Sequence, residues 1–157
     1  MANIEDLSDV KSVLDCKASG IGLFRTEFLF MNRKVLPGEQ EQYETYKSIA
    51  KSMKGRTVVI RTLDSGADKT TAADKSQATN PALGLRAIRL CLSQPHLFIT
   101  QLRAILKASA FGKIRILIPM LSSLGELKQV KLLIKRAKES LVVENIKFDN
   151  EILIGGM

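Results

Sequence analysis

The sequence predicts an α/β protein with a parallel sheet, because short apolar strands alternate along it with amphipathic helices. The strands are continuous apolar runs, which is typical of parallel strands covered on both faces. The 157 residues, 45% hydrophobic and 25% charged, suffice for one domain with a core. No apolar run approaches the roughly 20 residues that a membrane-spanning helix needs, so we expect no membrane association.

The first strands and the first helix are predicted from short patterns. Residues 2–4 resemble the end of a strand, and residues 21–25 form a continuous apolar run that ends in arginine. Between them, apolar residues recur with helical spacing over residues 7–18. Gly20 is the predicted stop of this helix, since glycine is common just after a helix.

The next helix and strand have clear boundaries in the sequence. Pro37 opens a helix with acids in its first turn, and Gly55 ends it. Residues 57–61 are rich in β-branched side chains and predict a buried strand. A polar stretch from Asp64 to about Pro81 follows, and a loop of this length inside a domain is usually functional or mobile.

The rest of the chain repeats the alternation. Residues 83–93 and 95–110 predict two helices that are separated near Pro95. Residues 114–119 predict a strand, and Ser123 with Glu126 matches a capping box that opens another helix. Residues 152–157 start a further strand.

Two arrangements of the parallel sheet fit this order, a doubly wound sheet and a barrel. No G-x-G-x-x-G sequence opens a helix after the first strands, which argues against a dinucleotide-binding sheet. The chain begins and stops within predicted strands, so we expect residues 1–157 to be a fragment of a larger domain.

Two predicted strands end in the same Arg-Thr sequence, at Arg25 and Arg61. In parallel α/β proteins the carboxyl ends of the strands face the active site. Two guanidinium groups there would suit a carboxylate or a phosphate, which arginine binds in a bidentate manner. The alternative is that each arginine pairs with a nearby acid, Glu27 for Arg25 and Asp64 for Arg61.

Further candidate residues follow the second of these strands. Arg86 is predicted in the first turns of a helix near the same end of the sheet, where it binds an anion or pairs with an acid. Asp64, Asp68 and Lys69 cluster in the polar stretch, where they either meet a substrate or metal or are simply solvated. His96, the single histidine, is predicted to be a solvated residue at a helix start.

The net charge of +8 could indicate a polyanionic partner such as nucleic acid. The lysines of the last helix fit a solvated helix face equally well, however, and the sequence has no RNA-binding or zinc-finger motif. We therefore expect no nucleic-acid binding.

Several long motifs resemble the enzyme I family of the bacterial phosphoenolpyruvate:sugar phosphotransferase system, with pyruvate phosphate dikinase and phosphoenolpyruvate synthase as more distant relatives. The resemblance spans essentially the whole chain. The motifs include Gly-Leu-Phe-Arg-Thr-Glu-Phe from residue 22, Arg-Thr-Leu-Asp-Ser-Gly from residue 61, Asn-Pro-Ala-Leu-Gly-Leu-Arg from residue 80, residues 101–112 and residues 118–120.

The resemblance implies an incomplete TIM (β/α)8 barrel of the phosphoenolpyruvate/pyruvate-binding type, roughly from strand one or two to strand five. It implies a phosphotransferase that takes the phosphoryl group of phosphoenolpyruvate onto a histidine of a separate domain, for transfer to the carrier protein HPr. A homodimeric parent protein, a cytoplasmic location and Mg2+ as cofactor are also implied. The metal ligands are expected beyond Met157.

Residue by residue, the resemblance implies substrate binding by Arg25, Arg61 and Arg86. It leaves the catalytic residues and the metal ligands outside this chain, so the chain alone is expected to be inactive. Two alternatives remain. One is a non-catalytic fragment that serves dimerisation or regulation, and the other is a related enzyme of the dikinase or synthase type.

Overall fold

Five parallel strands form one sheet, in which they lie in the order of the chain. The computed structural model describes residues 1–31, 33, 35–64 and 85–157. Consecutive order is that of a (β/α)8 barrel, whereas the order of a doubly wound sheet reverses at a switch point. The predicted α/β class is therefore confirmed, and the five strands form an open part of such a barrel. The strands are β1 (Ala2–Ile4), β2 (Gly20–Arg25), β3 (Thr57–Arg61), β4 (Ile114–Ile118) and β5 (Leu153–Gly156).

Helices connect the strands, and the described part of the chain contains one that the sequence did not predict, the short α2. None of these helices has the length and apolarity needed to cross a bilayer. The predicted polar loop lies, apart from Asp64, outside the described residues. The helices are α1 (Asp9–Asp15), α2 (Glu27–Phe30), α3 (Glu39–Ser52), α4 (Ala87–Ser93), α5 (Pro95–Ser109) and α6 (Leu124–Val143).

The first helix is shorter than predicted, and Gly20 is not its stop. Lys17 adopts a left-handed conformation (φ 52°), and the amide of Ala18 donates back to the carbonyl of Val13 at 3.1 Å, which ends α1. Gly20 instead lies in β2. A Cβ atom there would stand only 2.5 Å from the carbonyl oxygen of Thr57 on β3, so this close approach requires glycine.

The two faces of the sheet differ in burial. On β3 and β4 one face is fully buried, and Phe24 of β2 meets Tyr46 of α3 edge to face at 6.1 Å. The opposite face is partly exposed at Val59 and Leu117 and open at Arg115. The helices thus cover one face of these strands, and the other face is the one that further strands would cover in a closed barrel. The buried face of β3 and β4 consists of Val58, Ile60, Ile114, Ile116 and Ile118.

A buried hydrogen-bond network joins α5 to the carboxyl ends of β2 and β3. The Gln101 amide nitrogen donates to the hydroxyl oxygens of Thr26 at 3.1 Å and Tyr46 at 3.2 Å. Its amide oxygen accepts from the backbone N–H of Leu63 at 2.9 Å. The Thr26 hydroxyl in turn donates to the backbone carbonyl of Arg61 at 2.9 Å. All polar atoms of the Gln101 side chain are therefore satisfied within the core.

The network continues through α3. The hydroxyl of Tyr46 donates to the Gln42 side-chain oxygen at 3.1 Å, and the Gln42 amide nitrogen donates to the carbonyl of Pro37 at 2.9 Å. Burial raises the pKa of Tyr46 far above its ordinary value of 10, although the hydrogen bond from Gln101 opposes this shift. The phenol is thus neutral at physiological pH and can act as a donor.

The last long helix begins as the sequence predicts. The Ser123 hydroxyl accepts from the backbone N–H of Glu126 at 3.1 Å, and the Glu126 carboxylate accepts from the backbone N–H of Ser123 at 3.1 Å. This capping box satisfies two amides at the start of α6. A backbone hydrogen bond from Ser122, opposed in part by desolvation, lowers the pKa of Glu126.

Replacing Gln101 with leucine should destabilise the fold strongly. The substitution keeps the side-chain volume roughly but leaves the Leu63 amide without its acceptor and the Thr26 and Tyr46 hydroxyls without a donor. We expect a loss of about 2–4 kcal/mol in the free energy of unfolding, measured by urea denaturation. Gln40→Leu on the exposed face of α3 is the matched control, with an expected change within about 0.5 kcal/mol. Equal losses in the two variants would contradict the role of Gln101.

Candidate anion site

The sheet places Arg25 and Arg61 opposite each other at the carboxyl ends of β2 and β3. Neighbouring strands are about 4.8 Å apart, so both side chains start from the same edge of the sheet. Their exposure differs, since 42% of the Arg25 side chain is accessible but only 12% of that of Arg61. Arg61 is therefore the arginine whose charge depends on partners within the protein.

Arg61 has two such partners. Its Nη2 lies 2.8 Å from Glu27 Oε1, and its Nη1 lies 3.0 Å from Asp64 Oδ2. Glu27 Oε1 also accepts from the backbone N–H of Asp64 at 3.1 Å. These contacts connect the first residue of α2 to the turn after β3, and both acids are largely buried there.

Of the two acid pairs that the sequence offered as an alternative, Arg61 with Asp64 is present, but Arg25 with Glu27 is not. Arg25 instead forms an ion pair with Glu5, directly after β1. Glu27 is directed to β3 because the hydroxyl of the preceding Thr26 is bound to the carbonyl of Arg61. The Arg25–Glu5 pair is about 40% exposed on both sides, and pairs of this kind contribute little to stability.

Arg86 joins the same group from the other side of the undescribed residues 65–84. Its Nη2 lies 3.3 Å from Asp64 Oδ1, so Asp64 bridges two arginines. The sequence predicted Arg86 in the first turns of a helix. In the structure it is instead the extended residue directly before α4. The next residue, the buried Ala87, has φ 49°, a strained conformation for a residue with a side chain. Asp68 and Lys69 lie outside the described residues.

The charges of this group balance. Arg61 and Arg86 carry two positive charges, and Glu27 and Asp64 carry two negative charges. Hydrogen-bonding capacity nevertheless remains, because Glu27 Oε2, Arg61 Nε and Arg86 Nε are buried without a partner in the described structure. Buried polar atoms in this state are costly and are usually found at sites with a function.

A cavity of about 330 Å³ lies beside this group, between β1 and α1. Of the three arginines only Arg25 lines it, together with Glu5, Asp9 and Cys16 among others. Arg61 and Arg86 are not among the residues that line this cavity. The candidate anion site is therefore the group of arginines, of which only Arg25 borders the cavity.

The described residues do not provide a site for Mg2+. They contain no group of three or more His, Cys, Asp or Glu side chains that could hold a metal ion. The carboxylates of Glu27 and Asp64 are engaged by guanidinium groups, which leaves them unsuited to a cation. His96 is exposed at the start of α5, as predicted.

Sequence patterns missed three residues of the site. Glu5 gave no signal because its partner Arg25 is 20 residues away. Thr26 and Gln101 act from the core, and the motifs that contain them do not indicate that their side chains bind each other. The signal available for Glu27 was its position in the Arg-Thr-Glu sequence, which indicated a pair with the wrong arginine.

In a parallel α/β protein, a cluster of arginines and acids at the carboxyl edge of the sheet lies where such proteins bind their ligands. The sequence profile of one family, described as the phosphoenolpyruvate-binding domain of phosphoenolpyruvate-utilising enzymes, matches residues 1–157. The chain belongs to this family.

The chain is also similar to individual members of this family, each named phosphoenolpyruvate-protein phosphotransferase. The chain is 49% identical to the phosphoenolpyruvate-protein phosphotransferase of Cupriavidus necator, with all of the chain and 28% of that protein covered. It is 48% identical to the protein of the same name from Mycoplasma capricolum and 46% to that from Staphylococcus epidermidis, with 99% of the chain and 27% of each protein covered. The chain thus spans about a quarter of the length of these relatives.

Removing the charge of Arg61 should cost much more stability than removing that of Arg25. Arg61→Met leaves the buried carboxylates of Glu27 and Asp64 facing each other, and we expect a loss of about 2–4 kcal/mol in the free energy of unfolding. Arg25 is the residue opposite Arg61 on the neighbouring strand. Arg25→Met should lower the free energy of unfolding by only about 0–1 kcal/mol, because the ion pair of Arg25 is exposed. Urea denaturation at neutral pH measures both. A similar loss in the two variants would contradict the role of the buried ion pairs of Arg61 in stability.

Proposed function

We propose that this chain is the arginine-bearing part of the phosphoenolpyruvate site of a phosphoenolpyruvate–protein phosphotransferase. The observation that carries the proposal is the position of Arg25, Arg61 and Arg86 at one edge of a parallel sheet, in a chain of the phosphoenolpyruvate-binding family. The names of the relatives support the phosphotransferase over the dikinase or synthase type.

The chemistry suits these side chains. Phosphoenolpyruvate carries a carboxylate and a phosphate, and arginine offers planar donor pairs to both. Transfer breaks the bond between the enol oxygen and phosphorus, forms a bond from phosphorus to a histidine nitrogen and leaves the enolate of pyruvate. Fixed positive charge stabilises the moving phosphoryl group and the enolate, and it needs no reorganisation during the reaction.

The remaining parts of the reaction lie with other segments of the proposed protein. The acceptor histidine belongs to a separate domain that passes the phosphoryl group to HPr, and the parent protein acts as a homodimer in the cytoplasm. Mg2+ would add positive charge at the phosphoryl group when bound, with ligands from outside the described residues. Arg25, Arg61 and Arg86 bind and orient the substrate, and Asp64, Asp68 and Lys69 are proposed as further contributors from the polar stretch of the sequence.

Single alanine substitutions of Arg25 and Arg61 should weaken phosphoenolpyruvate binding by the full-length phosphotransferase. Loss of a charge-assisted hydrogen-bond pair of about 1.5–3 kcal/mol corresponds to a roughly 10- to 100-fold rise in Kd, measured by calorimetry. Arg136→Ala, on the exposed face of α6, removes the same charge and should leave Kd within about twofold. Unchanged affinity in both site variants would refute the assignment of these arginines.

The chain of residues 1–157 alone should not transfer phosphoryl groups. Its single histidine, His96, is exposed at the start of α5, and its described residues hold no metal-binding cluster. We expect no pyruvate from the purified chain supplied with phosphoenolpyruvate, Mg2+ and HPr in a coupled dehydrogenase assay. The full-length protein is the positive control. Steady pyruvate formation by the chain alone would contradict the proposal that the acceptor histidine and the metal ligands lie in other segments of the protein.

A further inference from the structure

The two acids beside Arg61 are held in different ways. Glu27 Oε1 accepts from the guanidinium at 2.8 Å and from the backbone N–H of Asp64 at 3.1 Å, so it is bound to the protein frame as well. Its residue starts α2, immediately after Thr26, which the core hydroxyl network holds in place. Glu27 is therefore fixed independently of any ligand.

The carboxylate of Asp64 has no such second anchor in the described structure. Its Oδ2 faces Arg61 Nη1 at 3.0 Å, and its Oδ1 faces Arg86 Nη2 at 3.3 Å. Both oxygens are thus used on the two guanidinium groups. A bridging carboxylate between two arginines takes the place that a bidentate anionic group of a ligand would take.

We propose that Glu27 is a positioning residue that holds Arg61 for the substrate anion, and that Asp64 is an internal competitor that this anion displaces. The inference rests on the proposed function and assigns roles within its site. A trianionic ligand meets a group of zero net charge, so withdrawal of one negative group from the arginines favours its binding. Asp64 is the group that can withdraw, because among the described residues its carboxylate contacts only the guanidinium groups that the ligand would bind.

The two roles predict opposite effects from the same chemical change. Asp64→Asn removes the charge of the competitor, so the ligand no longer displaces an ion pair and its affinity rises. Glu27→Gln removes the negative charge that holds Arg61 Nη2, because the neutral amide oxygen accepts only a weaker hydrogen bond. The guanidinium is then free to turn both of its ends to Asp64, which strengthens the competitor and lowers the affinity for the ligand.

The test is the Kd of phosphoenolpyruvate for the full-length phosphotransferase and its variants, measured by calorimetry at one ionic strength. We expect Asp64→Asn to tighten binding about three- to tenfold and Glu27→Gln to weaken it about tenfold, in line with charge-assisted hydrogen bonds. The double variant should bind more tightly than Glu27→Gln alone, since the competitor is absent. Glu139→Gln, on the exposed surface of α6, is the charge-matched control and should leave Kd unchanged.

Each other outcome overturns the inference. Tighter binding in both single variants means that only net charge matters, and weaker binding in both means that Asp64 is a ligand or a structural residue. Failure of the double variant to recover affinity means that Glu27→Gln acts through misfolding, which thermal unfolding of each variant detects. If Glu27→Gln does not fold, Asp64→Asn alone decides, and weaker or unchanged binding contradicts the role of competitor. Wild-type protein that binds no phosphoenolpyruvate refutes the proposed function itself, and the inference with it.

Discussion

The hydrogen bonds of the Gln101 side chain are the constraint on which both strand ends depend. This one amide, buried between α5 and α3, binds Thr26 after β2 and Leu63 after β3. Backbone groups just beyond a strand have no partner in the sheet, and burial makes them costly unless a side chain satisfies them. The positions of Glu27 and Arg61 follow, because each is adjacent in the chain or hydrogen-bonded to a residue that Gln101 holds.

The same frame explains how arginines stay in a partly buried site without a ligand. An unpaired guanidinium would be strongly destabilising at the position of Arg61, where only 12% of the side chain is accessible. Glu27 and Asp64 keep the group neutral, while the Nε atoms of Arg61 and Arg86 have no partner among the described residues. Under the proposed function, stability of the protein and affinity for the substrate depend on the same guanidinium groups, and a gain in one costs part of the other.

Elements with a local pattern could be predicted from the sequence. The β-branched run of β3 and the capping box of α6 each depend on residues within a few positions, and the structure has both. The four residues of α2 are too few to show a helical period, so that helix was missed. The start of α4 depends on the left-handed conformation of Ala87, directly after Arg86. Alanine has no preference for this conformation, so the sequence does not predict it.

The site was only half predictable for the same reason. The Arg-Thr repeat places two arginines at one edge of the sheet, because strand ends in parallel proteins share an edge. The pair of Arg61 with Asp64, three residues further along the chain, could be predicted, whereas the partners of Arg25 and Glu27 could not. Glu27 lies two residues from Arg25 but pairs with Arg61, 34 residues away, since the turn after β2 is set by contacts with β3 and α5. Distance along the chain favours a pair of Glu27 with Arg25, but the hydrogen bonds of the core place Glu27 beside Arg61.

The sheet face that no helix covers shows which contacts of the site depend on residues of this chain alone. Val59 and Leu117 on that face are partly exposed and Leu153 of β5 is 59% exposed, although a closed barrel would cover all three with further strands. The contacts of Arg61 and Arg86 do not depend on such closure. They come from α2, the turn after β3 and the residue before α4, and the core network behind them lies on the helix-covered face. The arginine group is therefore arranged by this chain itself, and closure of a barrel would act on it by excluding water rather than by positioning it.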